Sequence, residues 1–163
     1  INKNPRAIQA MDIVLEAFRR AMRVRSPGKS WHRHQLAILT LGASDYLNSA
    51  SQLNPLVLNV PTAGGKTEAF SAAALWTVAY EALQDEPHWG VGIIKYPTKL
   101  LSSDQAERLS HYVMHFDNVL AEHTKGRERP RGLGLFFGSD DEAIDRLDII
   151  GKRCPECGQP YGA

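Results

Sequence analysis

The sequence predicts an α/β domain, a parallel sheet flanked by helices with further helices at its N-terminal side. Three observations carry that prediction. Short apolar runs fall at 56–60, where β-branched residues are frequent, at 91–96 and at 133–137, helix-period segments lie between them, and the connections are short enough for right-handed crossovers. With 163 residues, 43% of them apolar, the chain can form one core that covers roughly 70% of its unfolded surface. A net charge of +1 and a pI near 8.0 create no overall basic field, so any contact with nucleic acid has to come from local patches. No run approaches about 18 apolar residues and no secretory leader opens the chain, which predicts a cytoplasmic protein without a membrane partner. Because it starts at Ile1 rather than Met and stops just past a cysteine pair, it reads as an excerpt of a longer polypeptide. The reading divides it into an N-terminal helix with a basic connection (1–30), an incomplete α/β unit (31–150) and the start of a possible insertion (151–163).

Each element follows from its residues. Ile8, Met11, Leu15, Phe18 and Met22 recur at spacings of three and four and predict one apolar face of a helix over 5–22. Pro27 and Gly28 end it, and a second helix is predicted over 34–47. The run 56–60, after Asn54-Pro55, reads as a strand buried on both faces, and the helix over 66–84 carries Ala69, Ala72, Ala73 and Ala74, small enough to lie close on a sheet. After the strand 91–96, Ser102 and Gln105 have the spacing of a capping box, opening a helix that fades near His123. A basic loop at 125–131, the strand 133–137 and a second capping box, Ser139 with Glu142, lead into a last helix to 150.

Val60-Pro61-Thr62-Ala63-Gly64-Gly65-Lys66-Thr67 stands between a predicted strand and a predicted helix, the context in which Gly-Lys-Thr signifies a phosphate loop. Consecutive glycines let backbone N–H groups turn toward phosphate oxygens, and the helix that follows presents its positive end. Lys66 is placed to reach the β and γ phosphates of ATP and Thr67 to put its hydroxyl on Mg²⁺. Val60 occupies the position where the general pattern has glycine.

Pro61 to Glu68 is similar to motif I of superfamily 2 (DEAD/DEAH-type) helicases, in which Pro-Thr before the glycines is distinctive. Tyr96-Pro97-Thr98-Lys99-Leu100-Leu101-Ser102-Ser103-Asp104-Gln105 resembles their motif Ia, and Trp31-His32-Arg33-His34-Gln35 resembles their adenine-recognising segment. The resemblance covers about 31–138 and implies the first RecA-like motor domain of a P-loop NTPase. It also implies that Gln35 reads adenine, that Pro61, Thr62, Ala63, Gly64, Gly65, Lys66, Thr67 and Glu68 hold ATP and Mg²⁺, and that Pro97, Thr98 and Lys99 touch a nucleic-acid backbone. A carboxamide can pair with the donor and acceptor of adenine, and exposed N–H groups at a helix start can donate to phosphate. With its cysteine-containing insertion, the motif resembles the large helicases of DISARM-type phage-defence systems.

Other patterns point less far. Asp140-Asp141-Glu142-Ala143 has the acids of a Mg²⁺-holding motif II but lacks the strand immediately before them, so motif II is placed after Ala163. Cys154-Pro155-Glu156-Cys157-Gly158 has the spacing of half a zinc knuckle, a Zn²⁺ site to be completed further along, with unliganded thiols as the other reading. His111 and His115 lie one helical turn apart with no third ligand and read as exposed or core-edge residues. Trp89-Gly90-Val91-Gly92 precedes a strand rather than following one, so it is no dinucleotide loop. Arg19, Arg20, Arg23, Arg25, Lys29 and Arg33 form one basic run and Lys125, Arg127, Arg129 and Arg131 another; each is either a nucleic-acid contact or a solvated face. Taken together, the sequence reads as the ATP-binding part of a helicase or translocase, a hydrolase acting on DNA ahead of RNA. Its partners are a second motor domain and the rest of the same polypeptide, and alone it turns ATP over poorly. A catalytically silent nucleotide-binding or assembly module, and another P-loop enzyme such as a nucleoside kinase, are the rivals.

Overall fold

The computed structural model describes residues 4–25, 28, 30–48, 65–84 and 99–124, and every regular element among them is an α-helix. In chain order they are α1 (Pro5–Arg25), α2 (Arg33–Asn48), α3 (Lys66–Ala82) and α4 (Lys99–Thr124). This overturns the α/β, RecA-like parallel-sheet arrangement that the sequence predicts: the described residues contain neither strand nor sheet. The apolar helix faces read as sheet-facing bury one another instead. The predicted strands 56–60, 91–96 and 133–137 and the helix after 138 lie outside the described residues.

Asn4 starts α1 by accepting the Ala7 N–H on its side-chain oxygen (3.2 Å), and Pro5, at the first helical position, has no N–H to leave unsatisfied. The face that α1 buries shares Phe18 with the predicted one but is rotated from it. Ala7, Ala10, Ile13, Val14, Ala17, Phe18 and Ala21 are wholly buried, whereas Met11, Leu15 and Met22 flank them and Ile8 is 41% exposed. A stripe of alanines lets two neighbours approach closely, and α1 packs along both α3 and α4. Ile13, Val14 and Phe18 complete the buried face, and Met11, Leu15 and Met22 border it.

α3 lies between α1 and α2. Its Ala69 and Ala72 are fully buried, and Ala73 Cβ comes within 3.4 Å of where a Cβ would stand at Gly42 of α2. The small residues thus serve helix-on-helix contact. Trp76 fills the centre: its indole N–H donates to Ala7 O (3.3 Å), Tyr80 stacks on its face, and Tyr46 meets it edge-on. Asn4 Nδ2 donating to the Tyr80 hydroxyl and the Tyr46 hydroxyl donating to Glu81 lace α1 and α2 to the far end of α3. Burial, with Glu81 beside it, pushes the Tyr46 hydroxyl up to about 12.

α4 begins at Lys99, which corrects the capping box read at Ser102 and Gln105: both residues lie inside the helix, and Gln105 is buried. His111 and His115, read as exposed or core-edge, are 7% and 1% exposed and sit with their rings 5.1 Å apart. α4 is clasped to α1 by Arg20, whose guanidinium makes two bonds to Glu122 (2.6 and 2.8 Å) and a third to Glu16 (2.8 Å). Among the described residues no helix is long and apolar enough to cross a membrane.

The hydrogen bond from Arg19, followed by that from Arg20, holds the Glu16 carboxyl down to about 2. A carboxylate whose folded pKa lies below its unfolded value stabilises the fold above the unfolded pKa, and that contribution disappears as pH falls through the folded one. Glu16→Gln is therefore expected to cost about 0.5–1 kcal/mol in urea unfolding at neutral pH, a partly exposed network being worth no more. The difference from the parent should narrow as the pH is lowered from 4.5 towards 2, and a gap that stays constant over that range contradicts the assignment.

Candidate functional site

The backbone enters α3 through Gly65, which has φ 73° and ψ 32° and caps the helix without any side-chain hydrogen bond to its first turn. That left-handed conformation costs a non-glycine residue roughly 1–2 kcal/mol. Lys66, Thr67 and Glu68 follow in the first turn, all half-buried, so an uncapped helix start carries a lysine and a threonine directly after a glycine turn. Such an end binds anions through its N–H groups and its dipole.

Gln35 holds this turn in place. It is 3% exposed, and both ends of its carboxamide are engaged. Oε1 accepts the His32 N–H (2.9 Å), which is the N3-to-N-cap half of a capping box and starts α2. Nε2 donates to Gly65 O (2.9 Å), a carbonyl that also accepts the Ala69 N–H (3.3 Å). A Cβ at position 65 would stand 2.1 Å from Gln35 Nε2, so the amide occupies the space that only glycine leaves empty.

On its other side the turn meets α4 through Glu68. Glu68 Oε2 stands 3.4 Å from the Cβ position of Gly65, while Oε1 accepts the Tyr112 hydroxyl (3.1 Å) and lies 3.9 Å from Arg108 Nη1. The Tyr112 ring stacks on Phe18 at 4.4 Å, and Phe18 meets Trp31 at 5.1 Å. Trp31 immediately precedes His32, so the contacts return to Gln35 and to Gly65. A closed circuit through all four helices therefore surrounds the entrance to α3.

Among the predicted site residues, Gln35, Gly65, Lys66, Thr67 and Glu68 are brought together here. Lys99 is the first residue of α4. Pro61, Thr62, Ala63, Gly64, Pro97 and Thr98, the acidic run at 140–142, Cys154 and Cys157, and the basic run 125–131 lie outside the described residues. Among the described residues no group of three or more His, Cys, Asp or Glu side chains could hold a metal ion. The first basic run is partly neutralised: Arg19 and Arg20 both bond Glu16, and Arg20 also takes Glu122. A groove of about 810 Å³ runs beside α1, lined by Asp12, Glu16, Arg19, Arg23, Trp31 and His123 among others. It mixes both signs of charge, which does not favour a polyanion, and neither Lys66 nor Thr67 lines it.

Sequence reading missed the residues that back the turn from behind, Tyr112 and Arg108 against Glu68 and Phe18 against Tyr112. The His32-to-Gln35 spacing was a usable signal for the half capping box, hidden by the lack of Ser or Thr at the cap; Tyr112 and Arg108 carry no local signal. Comparison of the chain with protein-family models, with curated proteins and with solved structures finds no match.

Gly65→Ala is expected to destabilise the fold by about 2–3 kcal/mol, the sum of the left-handed strain and the displaced Gln35 bond. Gln35→Ala alone should cost about 1–3 kcal/mol, since it removes two hydrogen bonds. Because the truncated side chain clears the space, the double variant should cost less than the two single changes added together. Strict additivity in chemical denaturation would show that the two residues do not meet.

Proposed function

We propose that the glycine turn and the first residues of α3 receive the phosphate tail of ATP, and that the chain is the ATP-binding part of a nucleic-acid-dependent ATPase, a helicase or translocase. The observation that carries this reading is the entrance to α3: left-handed Gly65, an uncapped first turn, and Lys66 and Thr67 within it. Lys66 would neutralise the β and γ oxygens, and Thr67 would direct its hydroxyl to Mg²⁺, which supplies further charge neutralisation at the terminal phosphate. Pro61 to Gly64 would complete the cradle. With both ends of its carboxamide bonded, Gln35 acts first as the clasp of the turn, and reading adenine requires it to exchange one of those bonds. Pro97, Thr98 and Lys99, the last of them the first residue of α4, are the proposed contacts to the nucleic-acid backbone, DNA ahead of RNA. Cys154 and Cys157 are proposed as half of a Zn²⁺ site, and a second motor domain of the same polypeptide as the partner for turnover.

Lys66→Ala is expected to weaken Mg·ATP binding by about 10- to 100-fold, as the loss of one charge-assisted contact of 1.5–3 kcal/mol implies. Helicity by circular dichroism should be unchanged, because alanine is a good helix former and only one half-buried side chain in the first turn is altered. Equal calorimetric affinity in a folded variant would dismiss the phosphate site. Phosphate release stimulated by single-stranded nucleic acid in the longer polypeptide separates the motor from a catalytically silent module.

A further inference from the structure

We propose that Tyr112 and Arg108 are positioning residues that transmit the occupancy of the glycine turn into α4, through the carboxylate of Glu68. The inference rests on the nucleotide reading above and adds to it a route by which binding is felt elsewhere in the molecule.

Glu68 lies three residues into the same positive helix end that the triphosphate tail would enter, with Oε2 3.4 Å from the Cβ position of Gly65. Two anions cannot share that end without repulsion, and a side chain only 17% exposed is weakly shielded by water. The arriving tail therefore drives the Glu68 carboxylate toward its counterweights on α4, the Tyr112 hydroxyl at 3.1 Å and the Arg108 guanidinium at 3.9 Å. The longer of these contacts leaves room to tighten. Tyr112 is 4% exposed and its ring is stacked on Phe18 at an interplanar angle of 15°, so it cannot follow by swinging aside. The adjustment passes into the backbone of α4 and, through Phe18, into α1. Both sites then bias one packed element, which is the physical requirement for coupling between them.

The test is amide hydrogen exchange over α4 in the full chain, with and without saturating Mg·ATP, alongside calorimetric titration of Mg·ATP. In the parent chain, nucleotide should slow exchange around Tyr112 by about fivefold or more, the scale of an ordinary coupling between sites. Tyr112→Phe keeps the stacked ring and removes only the hydroxyl, and Arg108→Ala removes the cation. Each should bind Mg·ATP with affinity within about threefold of the parent, while the slowing over α4 falls below about twofold. Measuring both variants keeps the test decisive if one is poorly folded. A parent chain that binds Mg·ATP without any response in α4 overturns the relay alone, as does a response retained in both variants. A parent chain that takes up no Mg·ATP ends the nucleotide reading and the relay with it.

Discussion

Gly65 must adopt a left-handed backbone, offer its carbonyl to two donors at once, and leave its Cβ direction to the amide of Gln35, and glycine alone meets all three demands. The rest of the arrangement depends on that junction. Because Gln35 also satisfies the N–H of His32, the residue just before α2, one carboxamide sets where α2 begins and where α3 begins, and it sets them relative to each other. A buried amide with fewer partners would cost on the order of 1–3 kcal/mol for each group left unmatched. The pairing therefore works as a register pin as well as a bond.

Around this pin the helices pack by two complementary devices. Alanine and glycine faces bring backbones close, as α1 does with its buried alanines and α2 with Gly42 against Ala73. Large rings then fill the spaces that such approach leaves, with Trp76 at the centre beside Tyr46 and Tyr80, and with Phe18, Tyr112 and Trp31 near the start of α3. Four of these rings use their polar tips: Trp76 bonds a backbone carbonyl, Tyr46 and Tyr112 bond carboxylates, and Tyr80 accepts from Asn4, whereas the Trp31 indole N–H is buried without a hydrogen-bond partner among the described residues. Rings placed this way contribute buried area and direction together.

Much of the local structure was legible in the residues. Helical periodicity and Pro-Gly punctuation located α1 and α2, and the Gly-Gly-Lys-Thr sequence located the start of α3 to the residue. The buried face of α1 was misread because hydrophobicity scales weight Ile8, Met11 and Leu15 above alanine, while close helix contact selects for small volume. The start of α4 was misread because Ser102 and Gln105 match a capping pattern that the helix overruns by continuing from Lys99. The fold class was misread because alanine-rich helices flanked by apolar runs satisfy a sheet-and-helix pattern and a helix-on-helix one equally well in periodicity. The link from Glu68 to Tyr112 and Arg108 joins residues some forty positions apart, a distance over which one sequence carries no pairing information.

The seat of α1 has a consequence for how the chain is made. Helical proteins usually fold fast because their contacts are local, yet α1 finds its partners far along the chain: Asn4 with Tyr80, Ala7 with Trp76, Arg20 with Glu122. It leaves the ribosome before α3 and α4 exist, and its apolar stripe is covered only in part after about seventy further residues and in full after about a hundred. The alanines that make the finished packing tight also keep that waiting helix only mildly sticky, which limits wrong associations during translation.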